Sequence, residues 1–160
     1  MQKIRQLREN DIKAIVLMML EWPSSYPRGY VLSYKRGGIR WLLHYIVKED
    51  NSLEGQSWVL EINKGVIGHI AYLKDVRCFE GGVYELRGIV VHEDFQKKNY
   101  GTKLIRHALK ELRKIKARLV WLQTGEAATQ YYRKLGFELI AEYKHYWGEN
   151  KHRYVMGKYF

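Results

Sequence analysis

The chain has 160 residues, of which 46% are hydrophobic and 14% aromatic. A chain of this length and composition forms one packed globular domain without disulfides or structural metals, which excludes a disordered protein. Its formal net charge of +11 at pH 7 favours anionic partners. Nucleic acid, an anionic membrane surface, an acidic protein and a phosphate-rich cofactor all satisfy that condition.

The single cysteine, Cys78, excludes an intrachain disulfide and is typical of a reducing compartment. Residues 1–11 are rich in charge, and the apolar stretch at residues 12–20 is too short and too amphipathic to span a membrane. We therefore expect a cytoplasmic protein with no secretion signal, no lipid anchor and no membrane partner.

The first third of the chain is predicted to hold one strand and two helices. After the opening strand, apolar residues recur at the i, i+3, i+4, i+7 and i+8 spacing of a helix from Ile12 to Leu20. Asn10 is suited to cap that helix, which must end before Pro23. A second helix is predicted around residues 41–46.

The middle of the chain changes to the alternating period of strands. Residues 58–62 and 66–73 form a predicted hairpin around the turn at residues 63–65. After a second turn, residues 83–92 form another predicted strand. Its interior Gly88 indicates a β-bulge or a close approach of two backbones.

The last third alternates between helical and strand periods, and Gly136 is placed to end its second helix. The predicted order is helix, strand, helix and two closing strands, at residues 102–116, 119–123, 128–135, 137–147 and 153–160. The whole pattern predicts a single α/β (α+β) domain over residues 1–160, with a mixed sheet of about seven strands flanked by about four helices.

The junction between the strand at residues 83–92 and the helix at residues 102–116 is a candidate anion site. Backbone N–H groups without helical partners meet the positive end of the macrodipole at a helix N-terminus, where a pyrophosphate would fit. Gly101 permits a close approach of the backbone, and Lys97 and Lys98 add positive charge.

This junction resembles motif A of the GNAT family of N-acetyltransferases. Residues 90–102 read VVHEDFQKKNYGT, and the family's loop reads Gln/Arg-x-x-Gly-x-Gly/Ala. Gln96 and Gly101 match that pattern. Asn99 stands at the position of the first glycine, and asparagine adopts left-handed dihedral angles more readily than most residues. The resemblance implies that the loop binds the pyrophosphate of coenzyme A.

A second segment resembles motif B of the same family. Residues 128–137 read ATQYYRKLGF, and in the family a helix ending in Gly-Phe presents a tyrosine to the cofactor sulfur. Tyr132 occupies that position. Gly125 stands where the family often has an asparagine that contacts the cofactor. Residues 4–11 are similar to the family's first strand and helix start, so the resemblance covers the length of the chain.

The resemblance implies a GNAT-like fold with a mostly antiparallel mixed sheet and acetyl-coenzyme A as the co-substrate, with no metal. The cofactor would enter where two parallel strands separate, and the acetyl group would pass directly to a primary amine in a ternary complex. The implied cofactor-binding residues are Val90, Val91, Gln96, Lys97, Lys98, Asn99, Tyr100, Gly101 and Thr102.

Two residues are candidate catalytic groups. The phenol of Tyr132 stays protonated at neutral pH and is suited to protonate the departing thiolate; its alternative role is a core aromatic. Glu85 lies 11 positions before Gln96, the spacing of the glutamate base in histone-acetyltransferase-like members. The alternatives for Glu85 are a solvent-facing or an ion-paired carboxylate, since a one-residue change of register would turn it away. His92 ranks below both as a proton relay.

The resemblance implies that the acceptor amine is met by the loop between the first two helices and by the connection between the last two strands. Aromatic residues in both regions suit an apolar or cationic acceptor: Trp22, Tyr26, Tyr30 and Tyr34, then Tyr143, Tyr146, Trp147 and Tyr154. The C-terminal segment resembles members that acetylate protein N-termini. A protein N-terminus, a lysine and a small-molecule amine all stay open, and the exposed closing strands are compatible with a homodimer.

Two other function classes agree with parts of the sequence. A nucleic-acid-binding module explains the charge of +11 and the many aromatic residues but neither motif, so nucleic acid is not the expected partner. A non-catalytic regulator that binds coenzyme A would account for Asn99 and Gly125. The main prediction is an acetyl-coenzyme A-dependent N-acetyltransferase.

Overall fold

The computed structural model describes residues 1–20, 55–75, 77–78 and 80–160. The second predicted helix, at residues 41–46, lies outside these residues. The same is true of the four aromatic residues predicted to meet the acceptor from the first region, Trp22, Tyr26, Tyr30 and Tyr34. Among the described helices, none is both long enough and apolar enough to cross a membrane.

The described ranges contain seven strands and three α-helices. The strands are β1 (Gln2–Gln6), β2 (Gly55–Ile62), β3 (Gly65–Lys74), β4 (Val83–Val91), β5 (Leu119–Thr124), β6 (Glu138–Tyr143) and β7 (Arg153–Tyr159). The helices are α1 (Ile12–Leu20), α2 (Tyr100–Lys114) and α3 (Glu126–Lys134). Short 3-10 helices, Glu9–Asp11 and Glu93–Phe95, precede α1 and α2.

The strands form one sheet in the order β1-β2-β3-β4-β5-β7-β6. The β1–β2, β2–β3, β5–β7 and β6–β7 pairs are antiparallel, and the β4–β5 pair is parallel. The parallel pairing covers Val83, Tyr84 and Glu85 of β4, whereas β5 pairs with β7 as far as Thr124. The predicted mixed and mostly antiparallel sheet is confirmed.

The chain divides into two compact units. The first holds Met1–Leu73 and Arg87–Lys110, and the second holds Lys74–Leu86 and Glu111–Phe160. The boundaries fall within β4 and α2. A single domain over residues 1–160 stays a prediction.

In the first unit, α1 buries the apolar face that its sequence spacing predicts. Ile12, Ile15 and Met18 pack in one cluster with Val59 of β2 and Val90 of β4. Burial of each aliphatic side chain of this kind contributes about 1.5–3 kcal/mol. The cluster therefore anchors the second half of β4, where the sequence predicts the site.

The predicted Asn10 cap is wrong, because Asn10 lies inside the 3-10 helix Glu9–Asp11, whose N-cap residue is Arg8 and whose last residue, Asp11, closes the capping box. The Asp11 carboxylate accepts a hydrogen bond from the backbone N of Arg8 at 2.8 Å and two from the Arg5 guanidinium at 2.7 and 2.9 Å. Burial by itself would raise the pKa of Asp11, but the bonds from Arg5 and Arg8 outweigh burial and lower that pKa. Arg5 also contacts Glu61 of β2 at 2.7 Å. A charge-assisted network replaces the simple cap.

The strand predicted at residues 137–147 is too long. β6 ends at Tyr143, and the chain then turns through His145 (φ 56°), Gly148 (φ 133°) and Asn150 (φ 55°). Left-handed residues interrupt the extended backbone that a strand requires. Of the aromatic residues predicted to meet the acceptor here, Tyr146 and Trp147 therefore lie on the turn, whereas Tyr143 ends β6 and Tyr154 belongs to β7.

Candidate active site

The loop between β4 and α2 has the backbone shape of an anion site. Lys97 has φ 58° and Asn99 has φ 63°, so both adopt the left-handed conformation. Left-handed residues that alternate with others curve the backbone and gather N–H groups into a concavity that suits an anion. The predicted left-handed conformation of Asn99, at the position of a glycine, is confirmed.

α2 begins directly after this loop. The backbone N of Lys103 donates to the Asn99 carbonyl oxygen at 3.0 Å, which starts the helical series of hydrogen bonds. Helix geometry leaves the N–H groups of Tyr100 and Gly101 without an acceptor inside the helix, at the positive end of the macrodipole. The first turn of α2 carries no acidic residue. Phosphate groups bind to helix N-termini of this kind.

Side chains of the loop hold its shape. The Gln96 amide Nε2 donates to the Val91 carbonyl oxygen at 3.0 Å, and Lys98 Nζ donates to the Asp94 carbonyl oxygen at 2.9 Å. Nδ1 of His92 accepts a hydrogen bond from the Asp94 backbone N at 3.3 Å. Gln96 thus ties the loop to the end of β4, and His92 caps the 3-10 helix that follows it.

A third lysine is held at the first turn of α2. Lys103 Nζ contacts Gln2 Oε1 at 3.1 Å and lies 5.2 Å from the centroid of the Tyr100 ring. Lys97 and Lys98, in the loop that precedes α2, are both exposed. Cations at these positions add to the attraction that the helix N-terminus exerts on an anion.

β4 is distorted at its centre, as its interior glycine predicts. Gly88 has φ 58° within the strand. Nδ1 of His69, on β3, lies 2.7 Å from the Gly88 carbonyl oxygen. A Cβ added at Gly68 would lie 3.1 Å from the Val90 carbonyl oxygen, so the two strands approach closely there. Val90 is buried and Val91 is half-buried.

Sequence reasoning missed His69, which is fully buried. Burial lowers the pKa of its imidazole to about 4, and the hydrogen bond to Gly88 and the negative charge of Asp11 oppose this effect only in part. His69 is therefore neutral at pH 7. Its one sequence signal is that it stands among apolar residues in a predicted strand.

The neutral state of His69 predicts a loss of stability in mild acid. Its pKa is about 4 in the folded chain and near 6.5 when unfolded, so only the unfolded state binds a proton as the pH falls between these values. We expect the free energy of unfolding to decrease by about 2 kcal/mol from pH 7 to pH 5. Urea denaturation at both pH values measures this change. His69→Phe cannot titrate and should lose most of the decrease; an unchanged pH dependence in that variant would contradict the assignment.

Glu85 lies on β4 in the second unit. Its Cα pairs with that of Trp121 at the end of the parallel ladder. Glu85 is only 8% exposed, and its chain neighbours Tyr84 and Leu86 are also buried. This burial rules out the solvent-facing alternative. A buried carboxylate is a candidate for proton transfer, and the role of Glu85 as a base stays a prediction.

Tyr132 lies on α3 in the second unit and is 9% exposed. Its ring centroid lies 5.2 Å from that of Tyr131 and 5.8 Å from that of Phe137, with edge-to-face geometry in both pairs. The ring therefore packs as an aromatic of the second unit. The role of its hydroxyl as an acid is a separate matter and stays a prediction.

The end of α3 fixes the position of Tyr132. Gly136 has φ 82°. The Phe137 backbone N donates to the Tyr132 carbonyl oxygen at 3.1 Å, and the Gly136 backbone N donates to that of Arg133 at 2.9 Å. These two bonds define a Schellman motif. Lys158 Nζ, which the sequence did not indicate, donates to the Gly136 carbonyl oxygen at 3.2 Å. The predicted helix end at Gly136 is confirmed.

A thiol nucleophile and a metal centre are two other kinds of site that these residue types can form. Cys78 Sγ lies 3.4 Å from the Gly81 carbonyl oxygen and 3.8 Å from Nη2 of Arg118, without a histidine or carboxylate in these contacts. Within the part of the chain that the structure describes, no group of three His, Cys, Asp or Glu side chains is placed to hold a metal ion.

One known protein is similar to this chain in sequence. An uncharacterized N-acetyltransferase of Methanocaldococcus jannaschii is 27% identical over 142 residues, which cover 84% of this chain and 60% of that protein. The chain thus spans less than two thirds of the length of this relative.

Solved structures share the fold. The PaiA N-acetyltransferase of Thermoplasma acidophilum, in complex with coenzyme A, matches with a TM-score of 0.78 and 19% identity over 100% of this chain and 99% of that chain. The ribosomal-protein-alanine N-acetyltransferase of Brucella melitensis matches with a TM-score of 0.71 and 17% identity over 99% of each chain. The sequence model of the acetyltransferase (GNAT) family matches residues 16–137, which include both predicted motifs. The chain therefore belongs to the acetyltransferase (GNAT) family.

Proposed function

We propose that this chain is an acetyl-coenzyme A-dependent N-acetyltransferase that acetylates a primary amine by direct attack in a ternary complex. Its family membership supports the co-substrate and the acyltransferase class expected from the sequence. The observation that carries the proposal is the loop with left-handed Lys97 and Asn99 directly before the N-terminus of α2. This loop has the backbone shape and the positive charge that a pyrophosphate requires.

The cofactor-binding groups belong to the first unit. In the proposal, the N–H groups of Tyr100 and Gly101 bind the pyrophosphate, and the loop lysines neutralise its charge. Backbone groups of Val90 and Val91 bind the pantetheine arm and the thioester. The burial of Val90 in the α1 cluster and the bond from Gln96 to the Val91 carbonyl oxygen support this role, because they hold that backbone in place.

The catalytic groups belong to the second unit. The amine nitrogen attacks the thioester carbonyl carbon, a C–N bond forms, and the C–S bond breaks with its electron pair on sulfur. In the proposal, the Tyr132 hydroxyl donates a proton to the departing thiolate. Glu85, directly or through water, takes the proton that the amine nitrogen loses. The products are an amide and coenzyme A with a free thiol.

The turn between β6 and β7 bears on the choice of acceptor. The Arg153 guanidinium carbon lies 4.4 Å from the Tyr146 ring centroid and 5.8 Å from that of Tyr143. These rings are 54% and 52% exposed, but they already attract a cation. The binding of a second group with dense positive charge is therefore disfavoured at this turn. We propose an acceptor with a single amine, such as a protein N-terminus, in preference to a polyamine.

The location and the assembly of the protein are also proposals. The single cysteine, Cys78, agrees with a cytoplasmic protein. The edge strand β6 exposes Leu139, Ile140 and Tyr143, and an apolar edge of this kind supports a homodimer.

Acetyl transfer to a panel of amines tests the proposed function. The panel holds a peptide with a free N-terminus, an N-blocked lysine peptide, a polyamine and an aminoglycoside. We expect coenzyme A thiol to be released only with an amine present, faster with the free N-terminus than with the polyamine, and one acetyl group to be found on the product by mass spectrometry. Tight cofactor binding without transfer to any amine would contradict the proposal and favour the non-catalytic regulator.

The same assay tests Glu85 through a conservative change. Glu85→Gln keeps the size of the side chain but removes the base, so kcat should fall about 100-fold or more while the affinity for acetyl-coenzyme A stays unchanged. Glu126→Gln, at an exposed position at the start of α3, is the matched control. Full activity of Glu85→Gln would mean that the amine loses its proton to another group.

A further inference from the structure

We propose that His69 is a positioning residue: its imidazole holds the kink of β4 at Gly88 and thereby sets the position of the Val90 and Val91 backbone. The inference rests on the proposed function, which assigns that backbone to the pantetheine arm and the thioester. All of the residues involved belong to the first unit.

The hydrogen bond fixes the tautomer of His69. A carbonyl oxygen only accepts hydrogen bonds, so the 2.7 Å contact with the Gly88 oxygen places a proton on Nδ1. The ring is fully buried and neutral, and Nε2 then carries a lone pair. Nε2 has no hydrogen-bond partner among the described residues.

The unsatisfied Nε2 argues against a role of His69 as a mere space-filling core residue. Leaving a buried acceptor unsatisfied costs free energy, and an apolar side chain at this position would avoid that cost. The neighbouring positions of β3, such as Ile67 and Ile70, are buried and apolar. The imidazole therefore offers one thing that an apolar residue does not, which is the proton donated to Gly88.

The ring also fills the space that Gly88 leaves open. A Cβ added at Gly88 would lie 3.0 Å from both Cε1 and Nδ1 of His69 and 3.2 Å from the methyl group of Met19. The left-handed φ of 58° and this close contact both favour glycine. The imidazole therefore lies directly against the backbone at the kink.

Three contacts connect β3 to the stretch of chain that begins at the Gly88 kink and ends at His92. His69 bonds to Gly88, and Gly68 lets the Val90 carbonyl oxygen approach closely. The Ile67 carbonyl oxygen accepts a hydrogen bond from the His92 backbone N at 2.9 Å. Since the chain from residue 88 to residue 92 is pinned at both ends, loss of the His69 bond should release the thioester-binding backbone at one end.

Three variants test the proposal. His69→Phe keeps a ring but removes the donor, whereas His69→Asn retains an amide N–H near the position of Nδ1. Ile70→Val is the matched control, because Ile70 is fully buried on the same strand and its side chain lies on the opposite face of β3 from His69. The measurements are kcat and KM for both substrates, acetyl-coenzyme A affinity by calorimetry, and amide hydrogen exchange at residues 89–91.

We expect kcat of His69→Phe to fall about 10- to 100-fold with a smaller change in the KM for the amine, because the thioester is displaced while the acceptor site is intact. Its amides at residues 89–91 should exchange faster. His69→Asn should restore much of both quantities. Ile70→Val should lower Tm without changing kcat by more than about twofold.

Two results would overturn the proposal: wild-type kcat and exchange rates in a folded His69→Phe, or an equal loss of kcat in Ile70→Val. Failure of the proposed function looks different. A wild-type protein that acetylates no amine would refute that function, and the exchange rates at residues 89–91 would still decide whether His69 holds the kink.

Discussion

Gly101→Glu is expected to weaken acetyl-coenzyme A binding at least about 100-fold. Gly101 lies in the first turn of α2, where a carboxylate side chain would occupy the space of the pyrophosphate and repel its negative charge. A glutamate at this position is favourable to the helix itself, because it complements the macrodipole. The loss should therefore come from the site and not from the fold.

Calorimetric titration with acetyl-coenzyme A measures this loss, with Gln56→Glu as the control. Gln56 is exposed on β2, so its replacement adds the same charge at a distance from the loop in the chain. We expect micromolar affinity in the wild type and the control. Binding that survives in Gly101→Glu would place the pyrophosphate elsewhere. A wild type that binds no acetyl-coenzyme A but binds RNA or DNA would replace the proposed activity with the nucleic-acid alternative.

Tyr132→Phe is expected to lower kcat by about 100- to 10,000-fold, the range typical of a lost general acid. The substitution removes only the hydroxyl, so the ring should keep its packing against Phe137 and the Schellman motif at Gly136 should persist. Acetyl-coenzyme A affinity and Tm should change little. A fall in kcat without a fall in affinity identifies a group that acts in the transition state.

The neighbouring tyrosine provides a matched control. Tyr131 lies on the same helix, contacts the Tyr132 ring and is more exposed than Tyr132. Tyr131→Phe should retain kcat within about twofold, because surface changes away from the reacting atoms have small effects. Equal losses in both variants, or a larger loss in Tyr131→Phe, would mean that Tyr132 is a packing residue and that another donor protonates the thiolate.

Local features of the chain were predictable because their causes are local. The turn between β2 and β3 requires left-handed residues, and Asn63 (φ 49°) and Lys64 (φ 68°) supply them before Gly65. The helical spacing of Ile12, Ile15 and Met18 and the placement of Gly136 are likewise read directly from neighbours in sequence. The same holds for the motif loop, whose Asn99 adopts the conformation of the glycine it replaces.

Features that depend on contacts between distant segments were missed or left open. The Asn10 cap was wrong because the helical turn begins earlier, after Arg8, where the Asp11 carboxylate bonds to the Arg8 backbone N and to Arg5 of β1. β6 is shorter than its residues suggest because the following turn is left-handed at several positions. The burial of Glu85 depends on the pairing of β4 with β5, which periodicity does not reveal.

By itself, the sequence determined the family, the order of the described elements and the left-handed loop before α2, because spacing, turn residues and motif positions act over a few residues. Only the tertiary structure decided which polar side chains are buried and what they bond. His69 shows the reason: a histidine in an apolar strand becomes a neutral donor to Gly88 only once β3 and β4 lie side by side, and strand pairing is set by the whole chain.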